Sequence, residues 1–529
     1  MPYPFDPLLQ TYPSRRTPLY ARGGMVNSSS PQASAAGLEV LRRGGNAIDA
    51  AVAAAAALTV TEPTSNGLGS DAFAIVWSAR EKKLFGLNAS GPAPMLASAE
   101  TVLAEGKDNN GKMPTHGWTP VTVPGAPAAW AALSGRFGAL PLSAALAPAV
   151  SYARDGYPCP PHLAQGWQQA YESYRERLTE PCFKAWFRTF APNGRAPEAG
   201  ELVSLPDHAD SLEAIGESGA EAFYRGALAR KIDAESRKYG GYLRYDDLAA
   251  FSPQWVEPLR VNYRGYEVCE IPPNGQGIVA LMALNILKEF DFPGKDSDLT
   301  VHRQIEALKM AFADAFAYVT DPADMTIDPA RLLDPAYGAR RAAAMGERAQ
   351  IWGSADGEGN MVSYIQSNYM GFGSGIVVDG TGIALQNRGA DFSLDQAAAN
   401  VLRPGKRSYH TIIPGFLMQN GLPVGPFGVM GAYMQPQGHV QVVMNSIDFH
   451  LNPQQALDAP RFQWLRDGRV IVEQSFDKEI AEALRRRGHE LSVSADTPLF
   501  GRGQMIVRLE NGVLVGGTEG RTDSNIACF

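Results

Sequence analysis

The stretch 346–392, GERAQIWGSADGEGNMVSYIQSNYMGFGSGIVVDGTGIALQNRGADF, constrains this chain more than any other. Within it Met361–Ser367 alternates apolar and polar residues with the period of two that belongs to a half-buried strand. Gly371-Phe372-Gly373-Ser374-Gly375 then forces a turn and the apolar run resumes at 376–378, so the pattern reads as a hairpin-like unit. A second turn, Gly380-Thr381-Gly382, and the apolar trio 383–385 lead into a polar knot of Gln386, Asn387, Arg388 and Asp391. Polar side chains at the ends of apolar strands are where sites are commonly built; the bland alternative is a solvated loop after a core strand.

Upstream, 23–29 is a short strand candidate, and Pro31 opens a helix that stops at Gly44-Gly45. Asn46 is placed to cap the alanine-rich run 47–60, which contains Asp49 and is too short to span a bilayer, so it reads as a buried helix. The segments 72–77 and 83–87 form a hairpin pattern, 126–133 is helical, 141–239 is mostly helical, and 261–271 reads as a strand pair. Ile305, Leu308, Phe312, Phe316 and Val319 recur at spacings of three and four, the mark of an amphipathic helix over 301–319. Beyond 392, strands are expected at 408–416, 423–430 and 469–473, with a closing hairpin from 504–509 and 512–516; 440–445 fits either a helix or a strand. Helices in the first two thirds and strands in the last third suggest an α+β chain with helices packed on a layered sheet core.

The net charge of −8, with basic residues scattered, argues against nucleic acid and anionic membrane as partners. Cys159, Cys182, Cys269 and Cys528 show neither CxxC spacing nor a dense framework, and His116, His162, His208, His302, His439, His450 and His489 are dispersed without metal-ligand spacing. No metal or organic cofactor is expected. The opening MPYPFDPLLQTYPSRR lacks the apolar run of an export signal, which points to the cytoplasm.

Six runs, among them GLEVLRRGGNAIDAAVAAAAALTVTEPTSNGLGSDAF (37–73), VTVPGAPAAW (121–130), EIPPNGQGIVALMALNIL (270–287) and MVSYIQSNYMGFGSGIVV (361–378), resemble the gamma-glutamyltransferase family in order along nearly the whole chain. The resemblance implies an N-terminal-nucleophile hydrolase, a four-layer αββα sandwich. It also implies a precursor that cuts itself into a large part, 1–353, and a small part, 354–529, which form one interleaved unit, with a homodimer or a heterodimer of the processed parts as the assembly. In such a family a threonine freed at the new N-terminus attacks a small amide, its own α-amino group serving as base, and an acyl-enzyme forms that water or an amine resolves.

Carried onto this sequence, the resemblance assigns the oxyanion amides to Gly431 and Ala432, a hydroxyl beside the nucleophile to Ser367, and the hold on a substrate amino group to Asp391. His410 and Thr411 fall where two serines are expected, and the alternative for His410 is a satisfied strand-end histidine. Two departures matter. Ser90 occupies the slot of the arginine that binds the α-carboxylate, which turns attention to other small amides, such as oxamate, with Arg388 as carboxylate partner. The nucleophile slot, seven residues before Asp356, holds Ala349. Either a linker carrying the threonine belongs near Gly353, or Ala349 has replaced it, or the chain is a catalytically silent scaffold; Ser354 is a weaker substitute.

Overall fold

The computed structural model describes residues 3, 4, 6, 12, 16–344 and 359–529. Two antiparallel sheets lie face to face. One has seven strands in the order Leu19–Ala21, Leu514–Thr518, Arg502–Arg508, Leu422–Met430, Gly415–Gln419, Tyr266–Glu270 and Leu259–Tyr263. The other has four, in the order Met361–Ser367, Asp71–Ser78, Lys83–Ala89 and Gln254–Val256. Strands from before and after position 353 therefore hydrogen-bond within the same sheets.

The period of two in these strands builds the layers, because successive side chains point to opposite faces of a sheet. On the strand Asp71–Ser78, Phe73, Ile75 and Trp77 meet Phe416, Met418 and Ile506 of the facing sheet. Their neighbours Ala72, Ala74 and Val76 turn outward onto helices that include Ala47–Thr61. The seven-stranded sheet alternates likewise: Leu417, Met505 and Val507 pack against the helices Gly277–Leu287, Asp298–Tyr318 and Met434–Ile447. The result is the αββα sandwich. Truncating Phe73 to alanine in the middle layer would cost about 3–5 kcal/mol.

The alanine-rich helix starts where the sequence places its cap. Asn46 Oδ1 accepts from the backbone of Ile48 and Asp49, while Asp49 Oδ2 accepts from Asn46 N–H at 2.9 Å. Its small residues on Ala72 and Ala74 let helix and sheet approach closely. Among the described residues no helix is long and apolar enough to cross a membrane.

Two expectations need correction. The run Met361–Ser367 does not fold back on 376–378; it pairs over its whole length with Asp71–Ser78, and Val377–Val378 pairs instead with Ile383–Ala384. Alternation identifies a strand's buried face but not its partner. Of 408–416, only Gly415 onward is strand. His410 sits in irregular chain that makes one parallel bridge to Gly275, with His410 N–H donating to Asn274 O and Gln276 N–H to His410 O, both at 2.9 Å.

Candidate active site

The pairing of Met361–Ser367 with Asp71–Ser78 sets Ser367 opposite Asp71 at one end of the four-stranded sheet. Asp71 is fully buried there and is the hub of a charged cluster. Its Oδ2 lies 2.6 Å from His410 Nε2 and 3.4 Å from Arg388 Nε, and all three side chains are shut from solvent. Burial alone would raise the Asp71 carboxyl, but His410 and Arg388 outweigh it and hold it below the usual range. Burial, followed by the neighbouring Arg388 cation, lowers His410 to about 4. The neutral ring places its proton on Nε2 toward Asp71, since Nδ1 accepts the Ile412 N–H at 3.3 Å.

His410 thus spends both ring nitrogens on the protein, beside Thr411 in the same irregular segment. Arg388 does not pair with Asp391 in a closed couple. Its Nη1 donates to Thr411 Oγ1 at 2.8 Å and its guanidinium lies 4.1 Å from the Tyr369 ring centre. Asp391 Oδ1 instead accepts from the phenols of Tyr369 (3.0 Å) and Tyr433 (2.9 Å). Burial raises the Asp391 carboxyl against the pull of Arg388 and the two phenols. Among the described residues, Asp391 Oδ2 and Arg388 Nη2 are buried without a hydrogen-bond partner. Natural interiors rarely leave such atoms unmatched.

The turn after Leu422–Met430 completes the site. Gly431 has φ 143° and Ala432 φ 51°; the latter is a left-handed conformation that costs a residue with a Cβ about 1 kcal/mol. A Cβ on Gly431 would stand 3.1 Å from Gly501 Cα and from Met434 Cβ. Gln276, which the sequence reading did not single out within the run 270–287, donates from one amide nitrogen to Thr411 O (2.6 Å) and Ala432 O (2.9 Å). It fixes the two segments against each other.

Ser367, Thr411, Gly431, Ala432, Tyr369 and Tyr433 all line one cavity of about 550 Å³. Ser367 Oγ accepts the Tyr369 N–H at 2.8 Å. Ser90 is not brought to this cavity. Its hydroxyl is buried and donates to Asn88 Oδ1 at 2.7 Å, in a knot with Asn274 that supports the His410 segment through Ser408 O. Ala349, Ser354 and Asp356 lie outside the described residues. Asp71 was the other miss: an acidic residue opening an otherwise apolar strand, Asp71 to Trp77, was its only signal.

An αββα sandwich with a cavity bordered by a glycine turn at the end of its central strands is the architecture of N-terminal-nucleophile hydrolases. The family model for gamma-glutamyltranspeptidase matches residues 33–529. The chain is 36% identical over 521 residues to the glutathione hydrolase-like YwrD proenzyme of Bacillus subtilis (strain 168), covering 94% of this chain and 97% of that protein. It is 33% identical over 533 residues to the oxamate amidohydrolase proenzyme of Klebsiella pneumoniae, covering 96% and 98%. The crystal structure of cephalosporin acylase from Bacillus halodurans superposes with a TM-score of 0.95 at 56% identity, covering 99% of each chain. The chain belongs to the gamma-glutamyltranspeptidase family, among amidohydrolases and acyltransferases.

Proposed function

We propose that the protein hydrolyses a small amide whose acyl part carries a carboxylate, by way of an acyl-enzyme. The observation that supports this reading is the pair of unmatched buried atoms, Arg388 Nη2 and Asp391 Oδ2, whose side chains lie behind Thr411, Tyr369 and Tyr433 in the wall of the cavity bordered by the Gly431–Ala432 turn. A guanidinium nitrogen suits a carboxylate, and a carboxylate oxygen suits an ammonium or hydroxyl. The nucleophilic oxygen joins the carbonyl carbon, the amine leaves with a proton, and water then releases the acid. Gly431 and Ala432 N–H groups are the oxyanion donors in this scheme, and Thr411 with Ser367 supplies hydroxyls along the cavity wall. Ser90, tied to Asn88, contributes no charge to the substrate, so in this scheme Arg388 and Asp391 carry the recognition of a gamma-glutamyl group that Ser90 does not. A cut near 353 would leave two parts, 1–353 and 354–529, held as a heterodimer by their shared sheets.

Steady-state hydrolysis of gamma-glutamyl anilide, glutaryl anilide and oxamate tests the reading. Turnover of glutaryl anilide or oxamate at least equal to that of gamma-glutamyl anilide is expected; a strong preference for the gamma-glutamyl compound would refute it. Ala349 in the nucleophile slot favours a second reading, a silent scaffold that binds such amides without cleaving them. Under that reading all three compounds bind or fail to bind, but none turns over.

A further inference from the structure

Far along the sequence from the catalytic segments, three metal-ligating side chains converge. His302 and Glu306 stand four residues apart on the helix Asp298–Tyr318, hence on one face of it. His489 comes from the turn after the helix Lys478–Arg486, and His302 Nδ1 lies 2.8 Å from His489 Nε2. The donor atoms of all three fall within 4.8 Å of one another. Sequence spacing hides the group, because its third member is 183 positions beyond Glu306, as the numbering 489 and 306 shows.

The position of His489 is built rather than accidental. The helix before it ends in a left-handed glycine, Gly488, with φ 93°. Gly488 N–H donates to Arg485 O (2.9 Å) and His489 N–H to Leu484 O (3.2 Å), the paired bonds of a Schellman stop. Val470 N–H then donates to Glu490 O at 2.8 Å, which pins the next residue to a strand. Beside the imidazoles, Arg487 Nε meets Asp298 Oδ2 at 2.7 Å, a second tie between the same helix face and the same turn.

We propose that His302, Glu306 and His489 bind one transition-metal dication of the zinc type, which clips the helix Asp298–Tyr318 to the turn at Gly488. Two imidazoles and a carboxylate suit such an ion, whereas calcium and magnesium prefer all-oxygen sets. Bonds of about 2.0–2.1 Å in tetrahedral geometry hold donors roughly 3.4 Å apart, so the imidazoles open slightly and the carboxylate closes in. The nitrogen that donates in the present His302–His489 contact must pass its proton to the other nitrogen of its ring, so that both offer lone pairs. Lys309 Nζ, 2.7 Å from Glu306 Oε1, competes for the carboxylate, and one coordination position stays open to water. His302 and Glu306 precede residues 345–358 and His489 follows them, so the ion would join chain from both sides of that segment.

Tag-free full-length protein, stripped with chelator and titrated with Zn²⁺ alone, provides the test, with Co²⁺ absorption reporting ligation and Mg²⁺ as control. One Zn²⁺ per chain is expected, with binding weakened at least about tenfold in His302→Ala, His489→Ala and the size-conserving Glu306→Gln. Metal should raise the melting temperature of the unsubstituted protein but not of the histidine variants, while hydrolysis of the small amides stays unchanged. Substoichiometric Zn²⁺ on the unsubstituted protein, or an affinity in Glu306→Gln and the histidine variants equal to that of the unsubstituted protein, overturns the proposal.

Discussion

Replacing Asp71 with asparagine removes one charge and almost no volume from the most buried part of the site. Arg388 Nε stands 3.4 Å from the Asp71 carboxylate, and at an effective dielectric near 20 that separation corresponds to an attraction of about 5 kcal/mol. The guanidinium has almost no solvent to fall back on, since both side chains are essentially inaccessible. Breaking a buried pair by neutralising one member typically costs about 3–5 kcal/mol, because the other charge is stranded. Asp71→Asn should therefore lower the unfolding free energy by about 3–5 kcal/mol in urea titrations followed by tryptophan fluorescence at neutral pH. Joining it with Arg388→Met should recover much of the loss, since neither ion then remains. A loss under about 1 kcal/mol for Asp71→Asn, or a double variant whose cost equals the sum of the two singles, would show that Arg388 does not depend on Asp71.

Asp391→Asn should reduce kcat/KM for gamma-glutamyl anilide more than for glutaryl anilide, which lacks the amino group; equal losses would deny Asp391 that contact. Gly431→Ala should lower kcat about 100-fold with the fold retained, because the added Cβ meets Gly501 and Met434 and shifts the turn that aims the amides. An unchanged kcat would remove the turn from the oxyanion scheme. His208 is buried, with Nε2 2.8 Å from Thr59 Oγ1, and burial lowers it to about 4. The unfolded chain gains a proton as pH falls through about 6.5 while the folded chain does not. Its contribution is thus complete above pH 6.5 and declines toward pH 4, by about 3 kcal/mol in all; His208→Gln should flatten that dependence, and an unaltered slope would contradict it.

Local pattern carried much of the architecture. Asn46 and Asp49 announced the start of the buried helix, and alternation in the runs beginning at Asp71 and Met361 marked both strands. What local pattern lacks is the partner across a long loop, which is why Met361–Ser367 was expected to fold back on nearby residues rather than cross to Asp71–Ser78. The site divides the same way. Ser367, Thr411, Gly431 and Ala432, far apart in the sequence, line one cavity. Asp71 and Gln276 escaped notice because their roles exist only once segments 339 and 156 positions apart come together. Ser90 shows the converse: a register slot from a related sequence says what is missing, not where the substituted side chain will turn.

The account stands on a nucleophile released by cleavage of the chain ahead of the strand Met361–Ser367. Intact-mass spectrometry of the purified protein addresses it directly. The account predicts two fragments that meet near residue 353, with masses summing to that of the chain plus one water, the second beginning with a hydroxyl-bearing residue. A single full-length mass that persists on prolonged incubation, with no turnover of any of the three amides, would contradict it.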